Sequence, residues 1–462
     1  MSSLDKINHF VVLMLENKSF DNLLGSPDWK GSKINGLTGA ETNPDKTGDF
    51  VRVWNSPIGP NDAWLPTPDP GELFTDINEQ IGVNSAVPPM SGFVSNYLRQ
   101  GGVAKNIMHY FTEQQVPALT ALARSYAICD EWFASAPCQT WPNRFFVHTG
   151  TAGGYENNSP LHFPYLMRTI FNALEGVAPN GWEIYFGDFP HALTLSRLWD
   201  HLDHFRPFQD FLDDAKHGHL PSYSFIEPRY FADLDWPNDM HPPHNLNYGD
   251  QLVATVYNAL RNSPNWESTM LVVTFDEHGG CYDHVLPPKA LPPTAPGPGQ
   301  KFAFDRYGVR VPAVVVSPLI RPGTVLRSTT AHPYDHTSII STLRKRFGIT
   351  QSLTDRDAHA PDLEQVLNLD LPSNDARDVV QALPPPASDN AVALNQARLA
   401  PLNGMQQSLH AAAAHLVPLI HGVSVANHIT TLSNGFAPMI PPAASPTEAL
   451  PFIRNILGKL LP

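Results

Sequence analysis

The sequence predicts an α/β fold, a largely parallel sheet flanked by helices, followed by a smaller and mainly helical C-terminal unit. Short runs of apolar and β-branched residues alternate with helical patterns over most of the chain. That alternation is what strands joined by crossover helices produce. Beyond about residue 372 the composition shifts toward alanine and proline, with four alanines in a row at 411–414. The chain therefore divides into residues 1–372 and 373–462.

The elements follow in order. Residues 9–15, His-Phe-Val-Val-Leu-Met-Leu, form an apolar run suited to a buried strand. Residues 118–126 carry helix formers with apolar residues at helical spacing. A short strand at 223–226 stops at Glu227-Pro228, and a helix at 250–261 leads into a strand at 270–275. The continuous apolar run at 311–316 reads as a central strand. Residues 337–347 read as a helix whose last turn is basic, as the helix dipole favours. Loops rich in proline or glycine break the pattern at about 56–72, 236–243, 286–299 and 383–388, and the first three are placed to roof a site. The final segment, 450–460, is amphipathic and weakly basic, which suits either a lipid-surface helix or one docked on its own unit.

Composition narrows the functional classes. Charged residues make up only 16% and proline 46 of 462, which describes long, stiffened loops. A formal net charge of -14 argues against electrostatic binding of DNA or RNA. It does not argue against a phosphate substrate, because a bound cation inverts the local field. Three cysteines, Cys129, Cys138 and Cys281, are no disulfide framework and read as small buried thiols. The apolar run at 10–15 is too short for a secretory signal and runs into Glu16, and no run of 18 apolar residues is present. The expectation is a chain without a transmembrane segment, either cytoplasmic or secreted by a leaderless route.

The chemistry sits at the ends of the predicted strands. After 270–275 come Asp276-Glu277-His278-Gly279-Gly280, then Tyr282-Asp283-His284. Two adjacent carboxylates at the end of a buried strand cost desolvation and repulsion unless a cation lies between them. In open α/β sheets such strand ends are where active sites collect. The first strand ends in the same manner, in Glu16-Asn17, an acid and an amide oxygen that suit a hard metal. A third segment, Thr140-Trp141-Pro142-Asn143-Arg144, puts a hydroxyl beside a helix start marked by Pro142. There it can meet a phosphate and attack it, or simply cap the helix. In Asp239-Met240-His241-Pro242-Pro243-His244 two loop histidines can bind metal, protonate a leaving group or contact phosphate. His336, before the 337–347 helix, is either a site residue or part of a cap.

Taken together and in this order, Glu-Asn-Lys-Ser-Phe-Asp at 16–21, Thr-Trp-Pro-Asn-Arg at 140–144, Asp-Met-His-Pro-Pro-His at 239–244 and Asp-Glu-His-Gly-Gly-Cys-Tyr-Asp-His-Val at 276–285 resemble the phosphoesterase family of non-specific phospholipases C. That family also contains a metal-dependent acid phosphatase. The resemblance runs over about residues 7–370 and implies an alkaline-phosphatase-like core. It implies one divalent metal ion (Ca²⁺, Mg²⁺ or Mn²⁺) held by Glu16, Asn17, Thr140, Asp276 and Glu277, with Thr140 also the nucleophile. A threonine here is the plant-type choice, whereas the acid phosphatase branch has serine. By the same resemblance Asn143, His241 and His336 meet the substrate phosphate, and His244 and His284 are catalytic, with His244 the first choice of general acid. One departure is visible: relatives carry a histidine before Ser91-Gly92-Phe93, and residues 84–90 here contain none.

The expected activity is phospholipase C-type hydrolysis of a phospholipid to diacylglycerol and a phospho-head group, through a phosphothreonine intermediate and with peripheral contact to a lipid surface. A broad acid phosphatase using the same site is the alternative, and an inactive lipid- or phosphate-binding protein the remote one.

Overall fold

The computed structural model describes residues 2–29, 33–55, 62–83, 88–295, 300–375 and 378–461. Its centre is an eight-stranded sheet. In chain order the strands are β1 (His9–Leu15), β2 (Ala127–Cys129), β3 (Trp182–Phe186), β4 (Phe205–Pro207), β5 (Tyr223–Glu227), β6 (Thr269–Phe275), β7 (Ala313–Val316) and β8 (Thr324–Leu326). Across the sheet they run β8-β2-β7-β6-β1-β5-β3-β4. Every pairing is parallel except those of β7, which lies antiparallel to both β6 and β2.

Every residue of β1 and β6 is buried, on both faces of the pleat. A strand in that position must be covered from both sides, which explains its unbroken apolar sequence. The helices that cover it include α1 (Pro117–Ser125), α2 (Thr140–Thr149), α3 (Phe208–His217), α4 (Leu246–Arg261) and α5 (Thr337–Phe347). Helix α4 packs on α1, α3 and β6, and α2 packs on α5.

The predicted elements are all present, with shifted ends. Helix α4 starts at Leu246 rather than 250, because the Asn245 side chain caps it by accepting from Asn247 N–H. The run at 311–316 is a central strand, but a reversed one. Strands β2, β3, β4 and β8 carry no comparable sequence signal, since most are only three residues long.

The C-terminal region is helical: α6 (Ala391–Leu399), α7 (Gly404–Ile420), α8 (Val425–Ser433) and α9 (Pro446–Leu460). Helix α9 docks on α7 and buries Ala449, Leu450, Ile453, Ile456 and Leu457. Those side chains, with Leu409, Ala413 and Leu416 of α7, belong to the same continuous apolar core as the sheet. All three cysteines are buried and free. No helix among the described residues is long and apolar enough to cross a membrane.

Candidate active site

Parallel pairing of β1 and β6 sets Leu15 opposite Phe275. The next residues, Glu16-Asn17 and Asp276-Glu277, therefore leave the sheet side by side at its carboxyl edge. All four are buried. The junction is tight. Asn17 has φ 61°, a left-handed conformation that asparagine tolerates. Gly279 has φ 58°, and a Cβ there would lie 2.5 Å from the Asn17 carbonyl oxygen. Only glycine permits that approach, which accounts for one of the two glycines in the motif.

The polar atoms at this edge are incompletely paired. Asp276 accepts from Asn17 N–H at 3.3 Å, from Glu277 N–H at 2.7 Å and from Arg144 Nε at 3.1 Å. Both carboxylate oxygens of Glu16, the Asn17 Oδ1, the Glu277 Oε1 and the Thr140 Oγ1 are buried without a hydrogen-bond partner. Buried oxygens are rarely left so, and oxygens of this kind are those that a hard cation takes. Burial raises the carboxyl pKa values of Glu16, Asp276 and Glu277, and repulsion among the acids adds to it at Glu16 and Glu277.

Arg144 offsets part of this charge. Its guanidinium is fully buried, 3.2 Å from Glu16, 3.1 Å from Asp276 and 3.7 Å from Glu227. It also donates to the Met14 carbonyl oxygen at 3.2 Å. Burial opposes its charge, but Tyr230 and the three acids raise its pKa, so it stays cationic. It rides on α2, one turn after Thr140.

Helix α2 begins at Thr140 itself, with Gln139 in the cap position and no side-chain cap. Thr140 is thus not the capping residue that its position also allowed. Asn158 Oδ1 takes the Trp141 N–H at 2.7 Å instead. Asn143 turns its amide back on the loop before the helix. It accepts from Ala136 N–H at 3.0 Å and donates to the carbonyl oxygens of Cys138 at 2.8 Å and of Ala136 and Gln139 at 3.2 Å. These bonds shape the loop that presents Thr140 and use both ends of the amide expected to hold phosphate.

The histidines separate into distinct settings. His244 Nδ1 donates to Asp239 Oδ1 at 2.7 Å, which leaves Nε2 open. Asp239 is itself tied to β1, its carbonyl oxygen accepting from Glu16 N–H at 2.8 Å. His336 Nε2 donates to the Asp276 carbonyl oxygen at 2.6 Å, and its Nδ1 accepts from Trp132 Nε1 at 3.3 Å. Both ring nitrogens are spent on bracing the strand end, and burial lowers its pKa to about 4, so it is a neutral brace rather than a phosphate contact. His284 joins another group. Its Nδ1 donates to Asp21 at 2.6 Å and its Nε2 faces Asn35 Oδ1 at 3.1 Å, beside the buried Arg310 and Asp283. Burial opposes its charge, but Asp21 and Asp283 raise its pKa overall. These partners give it a bracing part.

His241 faces the rim. One ligand atom each of Asp69, Glu72 and His241 lies within 4.8 Å of the other two. Glu72 Oε1 accepts from Asn17 Nδ2 at 2.6 Å. Asp69 and Glu72 lie in the proline-rich loop that the sequence placed as a roof, yet neither they nor Asp239 and Lys18 stood out there as site residues. Nothing in Pro68-Asp69-Pro70-Gly71-Glu72 reports contact with a strand end 55 residues away. Lys18 is buried and donates to the Leu65 carbonyl oxygen at 3.2 Å. Residues 84–87, where relatives are expected to carry a histidine, lie outside the described residues.

Beside the site is a cavity of about 220 Å³. Trp64, Trp236, Pro243, His244, Ala397 and Pro446 are among its walls. The last two come from the C-terminal region.

Comparison with known proteins gives the family. The sequence profile of the Phosphoesterase family matches residues 7–350. Non-specific phospholipase C6 of Arabidopsis thaliana is 40% identical over 385 residues, 78% of this chain and 72% of that protein. Non-specific phospholipase C1 of the same plant is 40% identical over 395 residues, covering 80% and 72%. Phospholipase C A of Mycobacterium tuberculosis is 29% identical over 432 residues, covering 81% and 79%. Among solved structures, the lipoteichoic acid synthase LtaP of Listeria monocytogenes is similar at 11% identity with a TM-score of 0.38, covering 79% of this chain and 78% of that one.

Proposed function

We propose, from the premise that the chain belongs to the phosphoesterase family and is a hydrolase of phosphoric esters, that it cleaves phospholipids in the manner of a phospholipase C. The products are diacylglycerol and the phospho-head group. The observation that carries this reading is the cavity bordered by His244. Its tryptophan, proline and alanine walls suit the glycerol end and first acyl carbons of a lipid leaving group. A small phosphomonoester has no use for them. Phe436, Met439 and Ile440 are exposed on the segment after α8, an apolar stretch that suits a lipid surface.

Glu16, Asn17, Thr140, Asp276 and Glu277 would hold a divalent ion of the oxygen-preferring kind, Ca²⁺, Mg²⁺ or Mn²⁺. Bound there, it supplies a Lewis acid that lowers the pKa of the Thr140 hydroxyl. The Thr140 hydroxyl gives its proton to solvent, Oγ1 attacks phosphorus, and the bond from phosphorus to the diacylglycerol oxygen breaks. His244 gives its proton to that leaving oxygen, with Asp239 fixing the ring through Nδ1. Water then attacks the phosphothreonine and His244 takes its proton, the bond from phosphorus to Thr140 Oγ1 breaks, and Oγ1 takes a proton back from solvent, which restores the enzyme. Arg144 favours the ionised form of the adjoining acids, and Asn143 holds the loop in front of Thr140.

The test is turnover by the metal-reconstituted full chain on phosphatidylcholine vesicles and on an aryl phosphate monoester. Thr140→Ala should lower turnover by at least about 10⁴-fold. It should leave the fold intact, because the hydroxyl bonds to nothing in the protein. Turnover like that of the unaltered enzyme would remove Thr140 as nucleophile. A kcat/KM that favours the monoester would replace the lipase reading with that of a broad phosphatase.

A further inference from the structure

A cluster on the rim of the site plays no part in the chemistry above. Asp69 and Glu72 reach it from the proline-rich loop, and His241 from the loop that follows β5. His241 Nε2 is 3.4 Å from Glu72, and its Nδ1 is 3.8 Å from Asp69. The obvious account is an ion pair between a protonated imidazole and two carboxylates. The local bonding argues against it.

His241 Nδ1 lies 2.5 Å from the carbonyl oxygen of Pro242. A carbonyl only accepts, so Nδ1 carries the ring proton. The ring is buried, which favours its neutral form, and Nε2 is then a bare lone pair. That lone pair faces a carboxylate oxygen that already accepts from Asn17. Two acceptors at 3.4 Å repel unless a proton or a cation lies between them. Asp69 Oδ1 is also buried and has no hydrogen-bond partner. Asp239, Asp276 and Glu277 add further negative charge close by. Lys18 is a cation whose charge reaches both Asp69 and Glu72, a single positive charge beside two carboxylates, and part of its ammonium is used on the Leu65 carbonyl oxygen. The cluster is short of positive charge: Asp69 and His241 have unused ligand atoms, and Glu72 turns a carboxylate oxygen toward them.

We propose that Asp69, Glu72 and His241 bind a second divalent cation, distinct from the one assigned to the strand ends. A mixed nitrogen and carboxylate set selects Zn²⁺ or Mn²⁺ rather than Ca²⁺. A ring whose other nitrogen donates to a backbone carbonyl is the usual setting of a metal-ligating histidine. The separation of His241 Nε2 from Glu72 fits as well: bonds of about 2.1 Å in a tetrahedral shell put ligand atoms about 3.4 Å apart, and one ligand atom of each of the three residues lies within 4.8 Å of the others. The two cation positions meet at Asn17, whose Nδ2 holds Glu72 while its Oδ1 faces the first. The rim cation neutralises the surplus carboxylates and sits beside the His244 ring, whose centre is 6.0 Å from that of His241. This inference does not rest on the identity of the substrate.

The experiment counts metal. Full-length protein is stripped with chelator and reloaded with Zn²⁺ or Mn²⁺, and bound equivalents are measured by mass spectrometry after gel filtration. Asp69→Asn/His241→Gln should hold one equivalent fewer than the unaltered protein, with an unchanged circular dichroism spectrum. Asp69→Asn alone, at a partly exposed position, should raise the Kd of one equivalent at least about 10-fold. Glu277→Gln should remove a different equivalent, so that combining it with the rim pair removes both. If the rim variants hold as much metal as the unaltered protein, and as tightly, the proposal is overturned. Loss in Glu277→Gln alone would then leave the strand-end reading standing.

Discussion

Replacing Arg144 by methionine removes the guanidinium that lies among Glu16, Asp276 and Glu227. At an effective dielectric of about 20, each contact near 3.2 Å contributes on the order of 5 kcal/mol of attraction. Most of that offsets the desolvation of four buried ionic groups. The measurable remainder on breaking such a network is about 3–5 kcal/mol. The carboxylates can escape by taking up protons, and this gives the prediction its second part. Glu16 and Asp276 already have raised pKa values in the fold, from burial above all, and losing Arg144 raises them further. A carboxyl with a folded pKa above its unfolded one binds more protons when folded. Stability then falls as pH rises from the unfolded toward the folded pKa. The deficit of Arg144→Met should therefore be small near pH 5 and reach about 3–5 kcal/mol near pH 8. The assay is urea unfolding of chelated protein at both pH values, with midpoints compared at constant slope. A deficit under about 1 kcal/mol at pH 8 would show that the acids are not ionised even beside Arg144, and an equal deficit at both would show that they do not titrate.

Asn143→Ala breaks four bonds to the loop before α2. It should destabilise by about 1–3 kcal/mol and lower kcat about 10²-fold with KM little changed, since it misplaces Thr140 without touching the lipid cavity. A rise in KM with kcat intact would assign Asn143 to substrate binding instead. Asp250 accepts from the N–H groups of Ala118 and Leu119 at the start of α1, both at 2.9 Å, yet burial pushes its pKa up to about 7 from 3.8. A raised carboxyl costs stability as pH climbs from about 4 to about 7, so Asp250→Asn should flatten that part of the stability–pH curve. An unchanged slope would mean that Asp250 ionises freely in the fold.

How much of this was legible beforehand varies with the kind of signal. Strands β1 and β6 announced themselves because burial on both faces demands unbroken apolar runs, and a run that ends in Glu16-Asn17 or Asp276-Glu277 can only be interrupted for a reason. The short strands β2, β4 and β8 were hidden, because three residues carry too little pattern to read. The reversal of β7 was hidden too: an apolar run has no direction. His336 and His284 looked like site residues from their motifs, but their ring nitrogens proved to be taken by Asp276, Trp132, Asp21 and Asn35.

What the sequence alone determined was local: which long apolar runs are strands, which oxygens stand at their ends, and which hydroxyl opens a helix. That follows because burial and backbone conformation select residue types position by position. Tertiary structure decided what is non-local. Register between β1 and β6 brings Glu16 beside Asp276, 260 residues on. A turn of α2 drives Arg144 between them, and a loop rich in proline carries Asp69 and Glu72 to the lone pair of His241. Such meetings depend on the path of the chain through space, and electrostatic cost and benefit are settled only where charges meet.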